Sequence, residues 1–239
     1  MCSRGYKTLL RFDIGRTRYK KAWDFQKQLI KLRAESKIPD CLIITEHEPV
    51  ITMGRGTSLS NLLSSKEYLK EKGIDLFEVE RGGDITFHGP GQTVLYPIID
   101  LNNRGRDTHQ YLRDLERFVI RTLEDINLQA GTKKGLTGIW VNDHKIGAIG
   151  VAVSKWIAYH GLALNVSTDL EYFKLINPCG ITEFPVGTIS GMLGVDIEME
   201  YLNGLLADNF AEMFNYQMEP VDDIDDFLSQ FSMSDEPTL

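Results

Sequence analysis

Apolar and polar positions alternate between Tyr6 and Asp13, the period of a strand with one buried face. From Thr17 to Lys37 the period lengthens. Trp23, Phe25, Leu29, Ile30 and Leu32 supply the broad apolar face of a helix that Pro39 closes. Cys41-Leu-Ile-Ile-Thr45 reads as a buried strand, with Val50 to Gly54 as its continuation past Pro49. Ser64 and Glu67 have the spacing of a capping box for a short helix that ends at Gly73. Ile74 to Glu80 and Ile85 to Phe87 are further strands parted by Gly82-Gly83, and Gln92 to Asp100 is another. Asp107 stands where an N-cap belongs, ahead of a helix reaching about Asn127 with Leu112, Leu115, Val119, Leu123 and Ile126 on one side.

Gly138 to Val166 reads as a meander, with tight turns at Asn142-Asp143 and near Lys155-Trp156. A short helix around Leu170 to Ile176 leads into Asn177-Pro178-Cys179-Gly180, and a last helix runs near Glu198 to Tyr216. Beyond Pro220 the chain is acidic, but Phe227, Leu228 and Phe231 recur at helical spacing and predict a docked final helix. No internal repeat and no Pro/Ser linker divides the chain. The fold this predicts is α+β: one domain over residues 1–219, with a mixed, mostly antiparallel β-sheet flanked by helices, then an acidic tail over 220–239.

At 239 residues and 42% hydrophobic, the chain can bury a core without disulfide or metal staples. Its three cysteines, Cys2, Cys41 and Cys179, are widely spaced and odd in number. That is no disulfide framework, and it suits a reducing cytoplasm. No apolar run approaches the ~20 residues that span a bilayer, so no membrane partner is expected. The opening residues also lack the apolar stretch of a secretory signal. Five histidines without paired spacing give no metal site.

The net charge of −8 hides a polarity. From Leu175 to Leu239 there is no Lys or Arg against 13 Asp and Glu, whereas residues 1–37 hold 11 Lys and Arg against Asp13, Asp24 and Glu35. A basic front could attract an acidic partner. A solvated helix face, balanced by the acidic end of the same molecule, is the simpler reading. Nucleic acid is not an expected partner, because the basic residues are not interleaved with aromatics.

The stretch richest in chemistry is Arg81-Gly-Gly-Asp-Ile-Thr-Phe-His-Gly-Pro-Gly-Gln92. Its glycines let backbone approach a ligand closely, Arg81 can hold an anionic or carbonyl oxygen, and His88 and Gln92 add polar groups. The alternative is a pair of tight turns with a structural His88. It is neither a phosphate P-loop nor a dinucleotide fingerprint. By itself, a cysteine between Pro178 and Gly180 is more often inert than nucleophilic, and a lysine after a turn is usually a solvated charge.

The Arg81–Gln92 stretch resembles the signature of the lipoyl(octanoyl) transferases: Arg-Gly-Gly, two variable residues, Thr, an aromatic, then His-Gly-Pro-Gly-Gln. Glu46 to Arg55, Gly138 to Val141, Lys145 to Gly150, His160 to Asn165 and Pro178 to Ile181 resemble further blocks in the same order, over roughly three-quarters of the chain. Phe87 departs from the family's more common Tyr or Trp, and the tail beyond Pro220 has no counterpart.

The resemblance implies the fold of biotin and lipoate protein ligases, a nucleophile at Cys179 and a partner lysine at Lys145. It implies substrate-binding roles for Arg81, Gly82, Gly83, His88, Gly89, Gly91 and Gln92 in the first block. In the later blocks the same role falls to Gly147, Ala148, Ile149 and Gly150, and to His160, Gly161 and Ala163. An ammonium near Cys179 would favour its thiolate, and the apolar run after Lys145 would favour the neutral amine. Gly180 would leave local N–H groups open to an oxyanion, and the glycines a slot for a C8 chain.

The reaction implied moves an octanoyl group from acyl carrier protein to Cys179, then to a lysine of a lipoyl domain. The acceptors implied are those of 2-oxo acid dehydrogenase complexes and the glycine cleavage H protein. A monomer with no cofactor is expected. Two rivals remain: an ATP-dependent lipoate or biotin ligase, which needs no cysteine, and a non-catalytic binder of acyl carriers.

Overall fold

A computed structural model describes residues 5–178 and 184–232. The chain opens with β1 (Lys7–Thr17), α1 (Tyr19–Ala34) and β2 (Asp40–His47). β3 (Val50–Met53), α2 (Lys66–Glu71), β4 (Asp75–Glu78), β5 (Ile85–His88) and β6 (Gln92–Asp100) follow. After α3 (Thr108–Asp125) come β7 (Gly131–Lys133), β8 (Leu136–Val141), β9 (His144–Ser154) and β10 (Ile157–Asn165). The chain finishes with α4 (Ile189–Leu193), α5 (Met199–Phe214), β11 (Tyr216–Pro220) and α6 (Ile224–Ser232).

Eight strands make one sheet in the order β11-β1-β2-β6-β10-β9-β8-β7. β11, β1 and β2 run parallel, and every later pairing, from β2–β6 to β8–β7, is antiparallel. The sheet is therefore mixed and mostly antiparallel, as the α+β reading requires.

Both faces of its central strands are apolar because both are covered. On one face Leu9, Leu42, Ile44 and Leu95 meet α3 and α5 through residues such as Phe118, Leu206 and Phe210. On the other, Leu10, Phe12, Ile43 and Tyr96 meet α1 through Tyr19, Phe25 and Leu29. The aromatic spacing of the acidic tail has its consequence here: Phe227 of α6 packs its ring edge-on to Phe12 at 5.1 Å, so α6 covers the same face as α1.

Several expectations need correction. Val50–Met53 does not continue β2. Pro49 has no N–H to donate, so the β1–β2 ladder ends at Thr17 and His47, and β3 enters a second sheet of order β4-β3-β5. The cap of α2 is Ser65, whose hydroxyl accepts the Tyr68 N–H, and not Ser64. The short helix before Cys179 is a 3-10 turn over Leu170–Leu175. The last helix, expected to reach Tyr216, ends at Phe214, and Tyr216 opens β11, with Asn215 (φ +59) making the break. β7 and α4 had no pattern long enough to predict them.

The meander turns stand as predicted: Asn142 (φ 52) sits in the first, and Lys155 (φ 50) and Trp156 (φ 63) in the second. In the basic front segment charges are offset locally. Lys20 pairs with Asp24 at 2.5 Å, Arg16 with Glu46 at 3.0 Å, and Lys27 lies 3.5 Å over Trp23. Among the described residues no helix is long and apolar enough to cross a membrane.

Candidate active site

Two narrow pockets open between the small sheet and strands β9 and β10. The inner one is lined by His88 and Tyr96, the outer one by Lys145 and Pro178. They share Thr86, Ala148 and Ala163, so they form one continuous crevice. Arg81, Gly83, His88, Ile149, Gly150 and Gly161 belong to the inner part, together with His160. Gln92, Lys145 and Gly147 belong to the outer part. Gly82, Gly89 and Gly91 line neither. The carbonyl of Gly91 instead accepts the N–H groups of Val166 and Ser167, which fixes the end of β10. Cys179 and Gly180 lie outside the described residues.

The Arg81 loop is tied to both sheets. The Arg81 guanidinium donates to Thr52 O at 2.7 Å and Thr52 Oγ1 at 3.0 Å in β3, and Gly82 N donates to Val151 O at 2.8 Å in β9. Gly150 permits this close approach, because a Cβ there would stand 2.8 Å from Gly82 O.

Phe87 needs no hydroxyl. Its ring stacks on Tyr172 at 4.6 Å and meets Phe173 edge-on, holding the turn that leads to Cys179 against the small sheet.

His88 passes order outward. The side-chain amide of Gln92 donates to Phe87 O and Asn165 Oδ1, so its oxygen faces His88 Nδ1 at 2.7 Å and receives that proton. Nε2 is then the acceptor for the Thr52 hydroxyl at 3.4 Å. Asn165 in turn donates to Gly187 O at 3.1 Å. Thr52, Glu80, Gln26 and Asn165 were invisible as site residues in the sequence, since nothing local distinguishes a buried polar side chain from an exposed one.

Beneath lies a set of uncharged aromatic and imidazole rings, beside Arg81 and Asp84 on the same lining. Tyr96 O–H donates to His47 Nε2 at 2.8 Å, and His47 Nδ1 donates to Thr17 O at 3.1 Å. Burial holds His88 at about 3, His47 at about 4 and His160 at about 4, all well below the ordinary histidine value, so the three are neutral near pH 7. Burial also raises the Tyr19 and Tyr96 phenols. An apolar chain can lie against these neutral rings at little desolvation cost.

These values predict an acid-labile fold. The folded-state values lie below the ordinary one of about 6.5, so unfolding takes up protons between that value and about 4. Stability contributed by the neutral histidines is complete above pH 6.5 and is lost as pH falls. Urea midpoints should drop clearly from pH 7 to pH 5; midpoints that stay flat over that range would refute the neutral, buried assignment.

Lys145 is 8% exposed, at the start of β9. Its Nζ lies 5.7 Å from the Trp140 ring centre. Its backbone clasps the chain that returns after Cys179: Lys145 N donates to Pro185 O at 2.9 Å, and Gly187 N to Lys145 O at 3.0 Å. Phe184 is held edge-on by Trp140 at 5.5 Å, with Lys133 Nζ 3.9 Å over its ring. Before Cys179, Asn177 N donates to Asn61 O at 2.8 Å, and Asn61 donates to Asp84 of the Arg81 loop at 2.5 Å. Pro178 lines the outer pocket with Lys145. Both flanks of the Cys179 segment are thus anchored beside this lysine.

Residues 18–211 match the family model of the lipoyl protein ligase A/B catalytic domain. Lipoate-protein ligase A, solved with ATP, superimposes with a TM-score of 0.69 over 95% of this chain and 93% of its own, at 17% identity, a likeness of fold. Sequence likeness is much stronger to two octanoyltransferases. That of Rubrobacter xylanophilus is 48% identical over 83% of this chain and 90% of its own length. That of Solibacter usitatus is 45% identical over 87% and 94%. The chain belongs to the octanoyltransferase family within that domain class.

Proposed function

We propose that the protein is an acyltransferase that moves an octanoyl group from acyl carrier protein to a lysine of a lipoyl domain, through a thioester on Cys179. One observation carries the reading: buried Lys145 lines the outer pocket with Pro178, the residue next to Cys179. The octanoyltransferase relatives support the same activity.

In the resting site a proton passes from the Cys179 thiol to the Lys145 amine, giving thiolate and ammonium. The thiolate attacks the carbonyl of the carrier thioester. As the tetrahedral intermediate collapses, the carrier sulfur leaves and takes the proton from Lys145. The octanoyl chain lies along β9 and β10 in the inner pocket, against neutral His88 and Tyr96.

In the second half, the acceptor amine attacks the thioacyl carbonyl and gives a proton to Lys145. Cys179 leaves as thiolate, and the resting ion pair is restored. A thioester is exchanged for a thioester and then for a more stable amide, so no ATP is consumed.

Acceptors of the required kind are the lipoyl domains of 2-oxo acid dehydrogenase complexes and the glycine cleavage H protein. Octanoyl carrier and a lipoyl domain, mixed with the protein and no nucleotide, should give octanoylated domain at a rate that ATP does not change. Transfer that needs ATP and free octanoate would make the protein a ligase.

A further inference from the structure

The Lys145 side chain passes over a bare patch of backbone. β8 and β9 pair Trp140 with Lys145 and Ile139 with Gly147, so one step along β8 meets two along β9. Ile146 is therefore the extra residue of a bulge, a feature that re-aims neighbouring side chains. Lys145 stands directly before it and lines the outer pocket. Gly138, at the start of the facing strand, adjoins that side chain. A Cβ on Gly138 would stand 2.8 Å from Lys145 Cε, 3.5 Å from Nζ and 2.7 Å from Gly147 O. Its φ of +143 is also one that side-chain-bearing residues rarely adopt.

A buried carboxylate of α3 holds that patch. Glu116 is 1% exposed, and its Oε1 accepts the Gly138 N–H at 3.0 Å. Its other oxygen pairs with the Arg113 guanidinium, which also donates to Oγ1 of Thr137, next to Gly138, at 3.4 Å. A buried carboxylate is costly unless it is paired and hydrogen-bonded. Packing α3 on the sheet does not call for one, since positions such as Leu115, Phe118 and Val119 serve with apolar side chains. What Glu116 adds is a charge-assisted hydrogen bond, a strong kind, to the backbone beside Lys145.

We propose that Glu116 and Gly138 are positioning residues for the transfer: the carboxylate pins the Gly138 backbone, and the missing side chain there leaves the path by which Lys145 presents Nζ to the outer pocket. Neither residue lines the pockets, so both act through the lysine. The inference rests on the transferase reading above, in which Nζ exchanges a proton with Cys179 and then with the acceptor amine. Such a group works only within hydrogen-bond reach. A misplacement of about 1 Å can cost on the order of 10²-fold in rate.

A double-mutant cycle on Lys145 tests it, read in kcat and KM for transfer from octanoyl carrier to a lipoyl domain. Gly138→Ala and Glu116→Leu should each lower kcat at least about tenfold and leave KM for the carrier nearly unchanged. Glu116→Gln keeps an oxygen for the Gly138 N–H and should stay within about threefold of wild type. In a Lys145→Met background each change should cost less than about twofold further, because the group it places is gone. Losses of equal size in both backgrounds would mark a merely structural role and overturn the placement. So would wild-type kcat in Glu116→Leu, or a loss in Glu116→Gln as large as in Glu116→Leu. The two Glu116 variants decide should Gly138→Ala fail to fold. Lys145→Met as active as wild type would overturn the transferase reading itself, and the placement with it.

Discussion

Replacing Cys179 by alanine is expected to lower octanoyl transfer by roughly 10⁴-fold or more, since both half-reactions pass through the thioester that it forms. The comparison that gives this weight is Cys41→Ala. Cys41 is fully buried in the face that α1 covers, its Sγ donates to Pro39 O at 3.4 Å, and burial holds its thiol protonated far above the usual range. It is a core residue, so its loss leaves a small cavity, about 1 kcal/mol in stability, and transfer in place. Steady-state transfer from octanoyl carrier to a lipoyl domain reads both variants. Transfer that survives in Cys179→Ala would remove the covalent route altogether.

Lys145 separates the two half-reactions. Lys145→Met deletes both the charge that favours thiolate and the base that accepts the amine proton. Both steps should slow by roughly 10²–10⁴-fold, the usual worth of a positioned acid–base group. Lys145→Arg keeps a cation that stays protonated at neutral pH. It can hold a thiolate but cannot receive a proton, so acylation of Cys179 should survive better than transfer to the acceptor. Rapid-quench measurement of each half-reaction distinguishes the outcomes. Equal loss in both would show that Lys145 acts through position or charge alone.

The strands of the large sheet were legible because their burial is written in runs such as Cys41 to Thr45 and Gln92 to Asp100. The meander was legible too, since its turns separate long apolar stretches. What escaped was set by partners far away in sequence. β3 has the pattern of any buried strand, and only its pairing with β4 and β5 places it in the second sheet. β11 is five residues long, and its identity comes from the ladder with β1.

The crevice divides in the same way. The glycine-rich loop and the Lys145 and His160 blocks were visible as sequence blocks, and the structure brings residues of each to one crevice. Nothing in the sequence singles out Gln26, yet it is buried and its Oε1 accepts the His160 N–H. Glu80 and Thr52 gain meaning only once β3 and the Arg81 loop are folded together.

The most direct measurement of the account is the intact mass of the purified protein after incubation with octanoyl carrier, without acceptor and without ATP. The account predicts a gain of one octanoyl group, mapped by peptide mass to Cys179, released by hydroxylamine and discharged when a lipoyl domain is added. A protein that stays unmodified while it still transfers octanoyl to the domain, or an octanoyl group found on Cys41, would contradict it.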